Sequence, residues 1–108
     1  DKSSFVREIS EARTFGFRSD LEKLHQIGLA KGATLENCVG LDEDGVLNKE
    51  GLRFKNEFVR HKILDCVGDL FLAGARVLGH VKASKTSHAM HHTALRTLFS
   101  SDANYELV

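Results

Sequence analysis

The segment NEFVRHKILDCVGDLFLAG, residues 56–74, constrains this chain more than any other. At about 100° per residue of helix, His61, Asp65 and Asp69 fall within roughly 80° of one another, with Lys62 beside them. Val59, Ile63, Cys66, Val67 and Leu70 gather on the opposite side. The spacing predicts a helix from Asn56 to about Leu72, with an apolar stripe to bury and a narrow ionisable stripe. A His-x-x-x-Asp pair brings an imidazole nitrogen and a carboxylate oxygen one turn apart, close enough to share a zinc ion. The same spacing also gives an ordinary ion contact on a helix surface. Two ligands do not complete a zinc site, and spacing does not choose a third among His25, His80, His88, His91 and His92.

The rest of the chain punctuates around that helix. SSFVREISEARTFGF, residues 3–17, alternates in part and reads as a strand running into a turn at Gly16. Ser19 followed by Asp20-Leu21-Glu22 predicts a capped helix to about Ile27, stopped by Gly28. Residues 35–41 read as a strand, Asp44-Gly45 as a turn and the residues after it as a short return strand. Asp42-x-Asp44-Gly45 lacks the spacing and closing glutamate of a calcium loop, so it is read as a turn. ARVLGHVKAS, residues 75–84, reads as a strand. SHAMHHTALRTLF reads as a second helix capped by Thr86 or Ser87. This order predicts an α+β fold, a two-layer sandwich of a mainly antiparallel sheet with helices on one face, plus a small inserted βα segment.

Composition excludes several classes. The chain has 108 residues, room for one domain, and fifteen basic residues balance fifteen acidic ones. With that balance and no stacking platform, no nucleic-acid partner is expected. Arg76 interrupts the longest apolar run, so no transmembrane segment is expected. The polar start DKSSFVRE does not resemble a secretory leader. Cys38 and Cys66 lack disulfide-framework and zinc-knuckle spacing, which suits a reducing, cytoplasmic setting. The chain begins at Asp1 and its one methionine is Met90, so it is expected to be a piece of a longer protein that shares its site with missing residues.

Two further constellations carry chemistry. Val81-Lys82-Ala83-Ser84-Lys85-Thr86-Ser87-His88 sets two lysines and three hydroxyls before a helix start, where free N–H groups and the helix dipole favour an anion such as a nucleotide phosphate. The same residues also make a solvated loop with a hydroxyl cap. His88 falls in the first helical turn, where the dipole lowers an imidazole pKa and a carboxylate such as Asp69 raises it. Thr14 stands beside Phe15 and Phe17, aromatics that serve a core or a pocket wall.

Taken together, ARTFGF at 12–17, LRFKNEFVRHKILDCVGDLFLAG at 52–74 and KASKTSHAM at 82–90 resemble the UDP-3-O-acyl-N-acetylglucosamine deacetylase (LpxC) family, in its C-terminal part. The resemblance runs from about Phe5 to Leu98. It implies a zinc-dependent amide hydrolase that removes acetate from a UDP-3-O-acyl-N-acetylglucosamine substrate in the lipid A pathway of Gram-negative bacteria. It implies that residues 1–108 are part of the second α+β domain of a two-domain enzyme, with an insert at roughly 18–41, the N-terminal domain being absent.

The resemblance also implies the roles. His61 and Asp65 are two of three Zn2+ ligands, and the third ligand, a histidine, and the general-base glutamate come from the missing N-terminal half. Asp69 orients His88, which stabilises the oxyanion and protonates the leaving amine. Thr14 hydrogen-bonds the oxyanion, and Lys62 contacts substrate and adds positive charge. Phe15 and Lys85 contact the sugar-nucleotide, Lys85 near the diphosphate. Leu21, Ala30 and Thr34 line a passage for the acyl chain. The family usually carries glycine where Ser87 stands, and asparagine is common at His91 and His92. The other reading of the residues is a non-catalytic anion- or nucleotide-binding module built on the Lys82–Ser87 loop.

Overall fold

A computed structural model describes residues 1–108 as an α+β chain. It divides into two compact units, residues 1–61 and 62–108. The elements are α1 (Lys2–Glu8), β1 (Phe15–Phe17), α2 (Arg18–Gln26), β2 (Val39–Asp42), β3 (Gly45–Val46), α3 (Glu57–Leu70) and α4 (His88–Leu98). Single 3-10 turns follow at Phe71–Ala73 and Asp102–Asn104. No helix is long and apolar enough to cross a membrane.

In the first unit β1, β2 and β3 form one mixed sheet in that order. β1 and β2 are parallel, pairing Phe15 with Val39, Gly16 with Gly40 and Phe17 with Leu41. Parallel neighbours require a crossover, and α2 supplies it. β2 and β3 are antiparallel across the turn ending at Gly45, where Asp42 Oδ1 accepts from the Asp44 and Gly45 N–H groups. A Cβ at Gly40 would lie 2.7 Å from Leu35 Cδ2, so a side chain there would require Leu35 to shift. Asn48, buried, stitches this unit together. Its Oδ1 accepts from the Gly40 N–H at 2.9 Å, and its Nδ2 donates to the Leu35 and Cys38 carbonyls at 2.9 and 2.8 Å.

Two expected strands are absent. Residues 2–8 form α1 instead, because Asp1 caps it: its carboxylate accepts from Ser4 N at 3.0 Å. Only Phe15–Phe17 of that segment is extended and paired. Residues 75–84 are exposed throughout and form no strand, having none to pair with. A lone strand cannot satisfy its ladder groups. Helix α2 starts one residue before Ser19, with Phe17 at the cap position and no side-chain cap, and Gly28 follows its end at φ 80°.

The expected burial of α3 is also reversed. Val59, Ile63 and Val67, spaced four residues apart on its apolar stripe, are exposed, whereas Glu57 is fully buried. In the second unit the buried side chains are His91 and Leu95 of α4.

Candidate functional site

Helix α3 carries four of the candidate residues. Its pitch sets His61 and Asp65 one turn apart, and Asp69 one turn further. His61 Nδ1 lies 2.8 Å from the Ala12 carbonyl oxygen. A carbonyl only accepts, so Nδ1 carries a proton, and of the two tautomers this contact selects the one with its lone pair on Nε2. That is the tautomer a metal-binding imidazole needs when its other nitrogen is fixed by a backbone carbonyl. An imidazole nitrogen and a carboxylate at this spacing also match the donor chemistry of a zinc site.

In the second unit Asp69 is the hub. Its Oδ2 accepts from His88 Nδ1 at 2.6 Å and from His91 Nδ1 at 2.7 Å. His92 Nε2 lies 3.5 Å from its Oδ1. Burial opposes ionisation of Asp69, but hydrogen bonds from His91 and His88 outweigh it and hold its pKa below the usual carboxylate value. His88 shifts the other way. The hydrogen bond and charge of Asp69, then the charge of Asp65, raise its pKa, with Lys62 working weakly against them. Nδ1 is committed to Asp69, so Nε2 is the atom that His88 presents; it lies 4.0 Å from Asp65 Oδ1.

Asp69, His88 and His91 offer ligand atoms within 4.8 Å of one another, so this cluster too could hold a cation. Both Nδ1 atoms are instead spent as donors to one carboxylate oxygen. His91 Nε2 is buried without a partner.

The loop before α4 is tied down from the same helix. Lys62 Nζ donates to the Thr86 carbonyl at 2.8 Å, so in this structure its ammonium braces the loop. Ser87 caps α4, its hydroxyl accepting from Met90 N at 3.3 Å, as the sequence predicts. Lys85 has φ 49°, a left-handed conformation that a residue with a Cβ adopts at a cost.

The first unit gathers the remaining candidates. Thr14, Phe15, Leu21, Ala30 and Thr34 all line one cavity of about 740 Å³, together with Phe17, Leu24, Ala33, Leu35, Val39 and Leu47. Phe15 is held by a tilted contact with Phe58, ring centroids 4.5 Å apart. Ala30 has φ 53°, and its carbonyl accepts from His25 Nε2 at 2.8 Å. That bond helps hold the loop at Ala30, one of the residues lining the cavity.

Sequence reasoning missed the centre of this unit. Glu57 is fully buried and accepts four hydrogen bonds: from Arg13 Nε, Arg13 Nη2, Arg13 N and Arg53 N, at 2.9, 3.1, 2.8 and 2.7 Å. Arg13 also donates to Glu50 and to the Gly51 carbonyl. Burial opposes ionisation of Glu57, but Arg13 and the two backbone donors outweigh it and lower its pKa to about 2. A glutamate opening a predicted helix reads as an ordinary first-turn acid; no local pattern marks it as buried.

An α+β chain with a carboxylate-held histidine and a helical His-x-x-x-Asp pair has groups able to move a proton and to ligate a metal. A model of the UDP-3-O-acyl N-acetylglycosamine deacetylase (LpxC) family matches residues 1–100, and the chain belongs to that family. Among curated relatives, a UDP-3-O-acyl-N-acetylglucosamine deacetylase of Myxococcus xanthus is 56% identical over 104 residues, 96% of this chain and 33% of that protein. Proteins of the same name from Acinetobacter baumannii and Hydrogenovibrio crunogenus are each 52% identical, covering 97% and 98% of this chain and 35% of their own length. The chain thus spans about a third of the curated relatives it matches.

Proposed function

We propose that this chain is the C-terminal part of a cytoplasmic, zinc-dependent deacetylase that removes acetate from UDP-3-O-acyl-N-acetylglucosamine on the way to lipid A in Gram-negative bacteria. In this reading it belongs to the second α+β domain of a two-domain enzyme, with residues 18–41 as the insert. Membership of the family supports the reaction and substrate. The single observation that carries it is the pairing of His88 with Asp69 at 2.6 Å, on the helix that also bears His61 and Asp65.

His61 and Asp65 hold Zn2+ together with a histidine from the N-terminal half. Zinc, when bound, supplies Lewis-acid polarisation of the acetamide and acidifies water. The remaining steps fall to side chains. A glutamate from the N-terminal half takes the proton from water. The Thr14 hydroxyl donates to the developing oxyanion. His88, kept protonated by Asp69, stabilises that charge and delivers the Nε2 proton to the departing glucosamine nitrogen. Lys62 adds positive charge toward the substrate, Phe15 packs on the sugar-nucleotide and Lys85 meets the diphosphate. Leu21, Ala30 and Thr34 belong to the cavity that takes the acyl chain; its mainly apolar lining suits one.

The test is complementation between parts. The chain alone is expected to show no turnover and only weak zinc binding. Adding the N-terminal two thirds in trans should restore both. Nucleotide binding by the chain alone that is indifferent to chelator and to His61, yet lost in Lys85→Ala, would favour an anion-binding module instead.

A further inference from the structure

One peptide group in the first unit is held at both ends by helix α3. The carbonyl of Ala12 accepts from His61 Nδ1 at 2.8 Å, and the N–H of the same peptide, on Arg13, donates to Glu57 Oε2 at 2.8 Å. Glu57 and His61 are one helical turn apart. Because a peptide is planar, its N–H and C=O cannot turn independently. The carboxylate that fixes the N–H therefore also aims the carbonyl at the imidazole.

Glu57 is itself immobilised. The Arg13 guanidinium grips both its oxygens, Nε donating to Oε2 and Nη2 to Oε1, and the Arg53 N–H shares Oε1. Arg13 is anchored in turn by Glu50 and by the Gly51 carbonyl. Both members of the pair are buried, so neither can exchange these partners for water. A pair this enclosed is weak evidence for a gain in stability over an apolar substitute. Its geometry gives it another purpose.

We propose that Arg13 and Glu57 are positioning residues for metal binding: they lock the Ala12–Arg13 peptide so that its carbonyl holds His61 in the Nδ1–H tautomer with Nε2 directed to the metal. The inference rests on the reading of His61 as a ligand. The substrate need not touch either residue. Partners of this kind typically change metal affinity by about 10- to 100-fold when removed.

The test uses the full-length enzyme carrying Glu57→Gln, with Arg13→Lys as a second variant and Leu95→Ala, in the second unit, as a destabilised control. A glutamine oxygen cannot replace a carboxylate that accepts four hydrogen bonds, and a lysine cannot reproduce the guanidinium fork. Zinc affinity is measured by chelator competition, and the tautomer of His61 by 15N spectra of the metal-free protein. The expected result is zinc affinity weakened about 10- to 100-fold in folded Glu57→Gln, with mixed His61 tautomers, and neither change in Leu95→Ala. Wild-type affinity and tautomer in folded Glu57→Gln would overturn the proposal. Should that variant not fold, the same two measurements on Arg13→Lys decide. Retention of zinc by His61→Ala would instead overturn the ligand reading itself.

Discussion

His88 Nδ1 and Asp69 Oδ2 stand 2.6 Å apart, a short bond that leaves Nε2 as the atom His88 presents. If that bond keeps His88 in its acid form, then Asp69→Asn in the full-length enzyme should lower kcat by roughly 10²- to 10⁴-fold, with zinc content unchanged. Steady-state kinetics beside a metal assay checks both. A kcat within a few-fold of wild type would remove Asp69 from the role.

His91 shares that carboxylate oxygen at 2.7 Å but is buried. His91→Asn supplies an amide N–H for the same contact, and asparagine is common there in the family the sequence resembles. A change in kcat within about threefold is expected, far below the Asp69→Asn effect. A loss as large as that of Asp69→Asn would make His91 part of the acid.

Ser87 can be separated from the chemistry by its cap. Its hydroxyl accepts from Met90 N, so Ser87→Ala should cost about 1 kcal/mol in denaturant melts and Ser87→Gly only a few tenths. Equal losses for both would show that the hydroxyl does not cap α4.

The buried pair predicts an acid-labile fold. Glu57→Ala leaves Arg13 buried without its main partner and should cost about 3–5 kcal/mol. For the wild type, the Glu57 pKa falls from 4.5 to about 2 on folding. A depressed carboxylate contributes stability above its unfolded pKa and loses it as pH falls through the folded one. That contribution, on the order of 3 kcal/mol, should therefore fade between about pH 4.5 and 2. Urea titrations across that range test it, and the Glu57→Ala variant should show a flatter profile there.

The cavity makes a prediction about substrate length. Ala33 lines it beside Leu21 and Ala30, so Ala33→Phe should narrow it. Against a long-acyl substrate kcat/KM should fall at least about tenfold, with a short-acyl analogue spared. Equal losses for both would argue against an acyl passage.

How much of the fold is legible in the sequence follows from how local each signal is. The helix around His61, the turn at Gly45, the stop at Gly28 and the Ser87 cap are set by neighbouring residues, and all four are in the structure. The segments 3–14 and 75–84 read as strands but are not, because strand character depends on a partner and none is paired with them here. The stripe of Val59, Ile63 and Val67 has the pattern of a buried face, but burial needs a covering surface, and within this chain these residues remain exposed. Glu57 and Asn48 leave no mark in the sequence for the same reason. Their importance comes from contacts with Arg13 and with the residue 35–40 wall, and no periodicity encodes those. Thr14, Phe15, Leu21, Ala30 and Thr34 are singled out by family resemblance rather than by pattern, and they meet around one cavity.

On the reading proposed above, helix α3 supplies two ligands of a zinc site completed from elsewhere in the enzyme. Zinc stoichiometry and affinity of the full-length protein, compared among wild type, His61→Ala and His91→Ala, test this most directly. About one tightly bound zinc is expected in the wild type and in His91→Ala, and its loss in His61→Ala. Zinc retained by His61→Ala but lost from His91→Ala would put the metal on the Asp69–His88–His91 cluster and contradict the assignment.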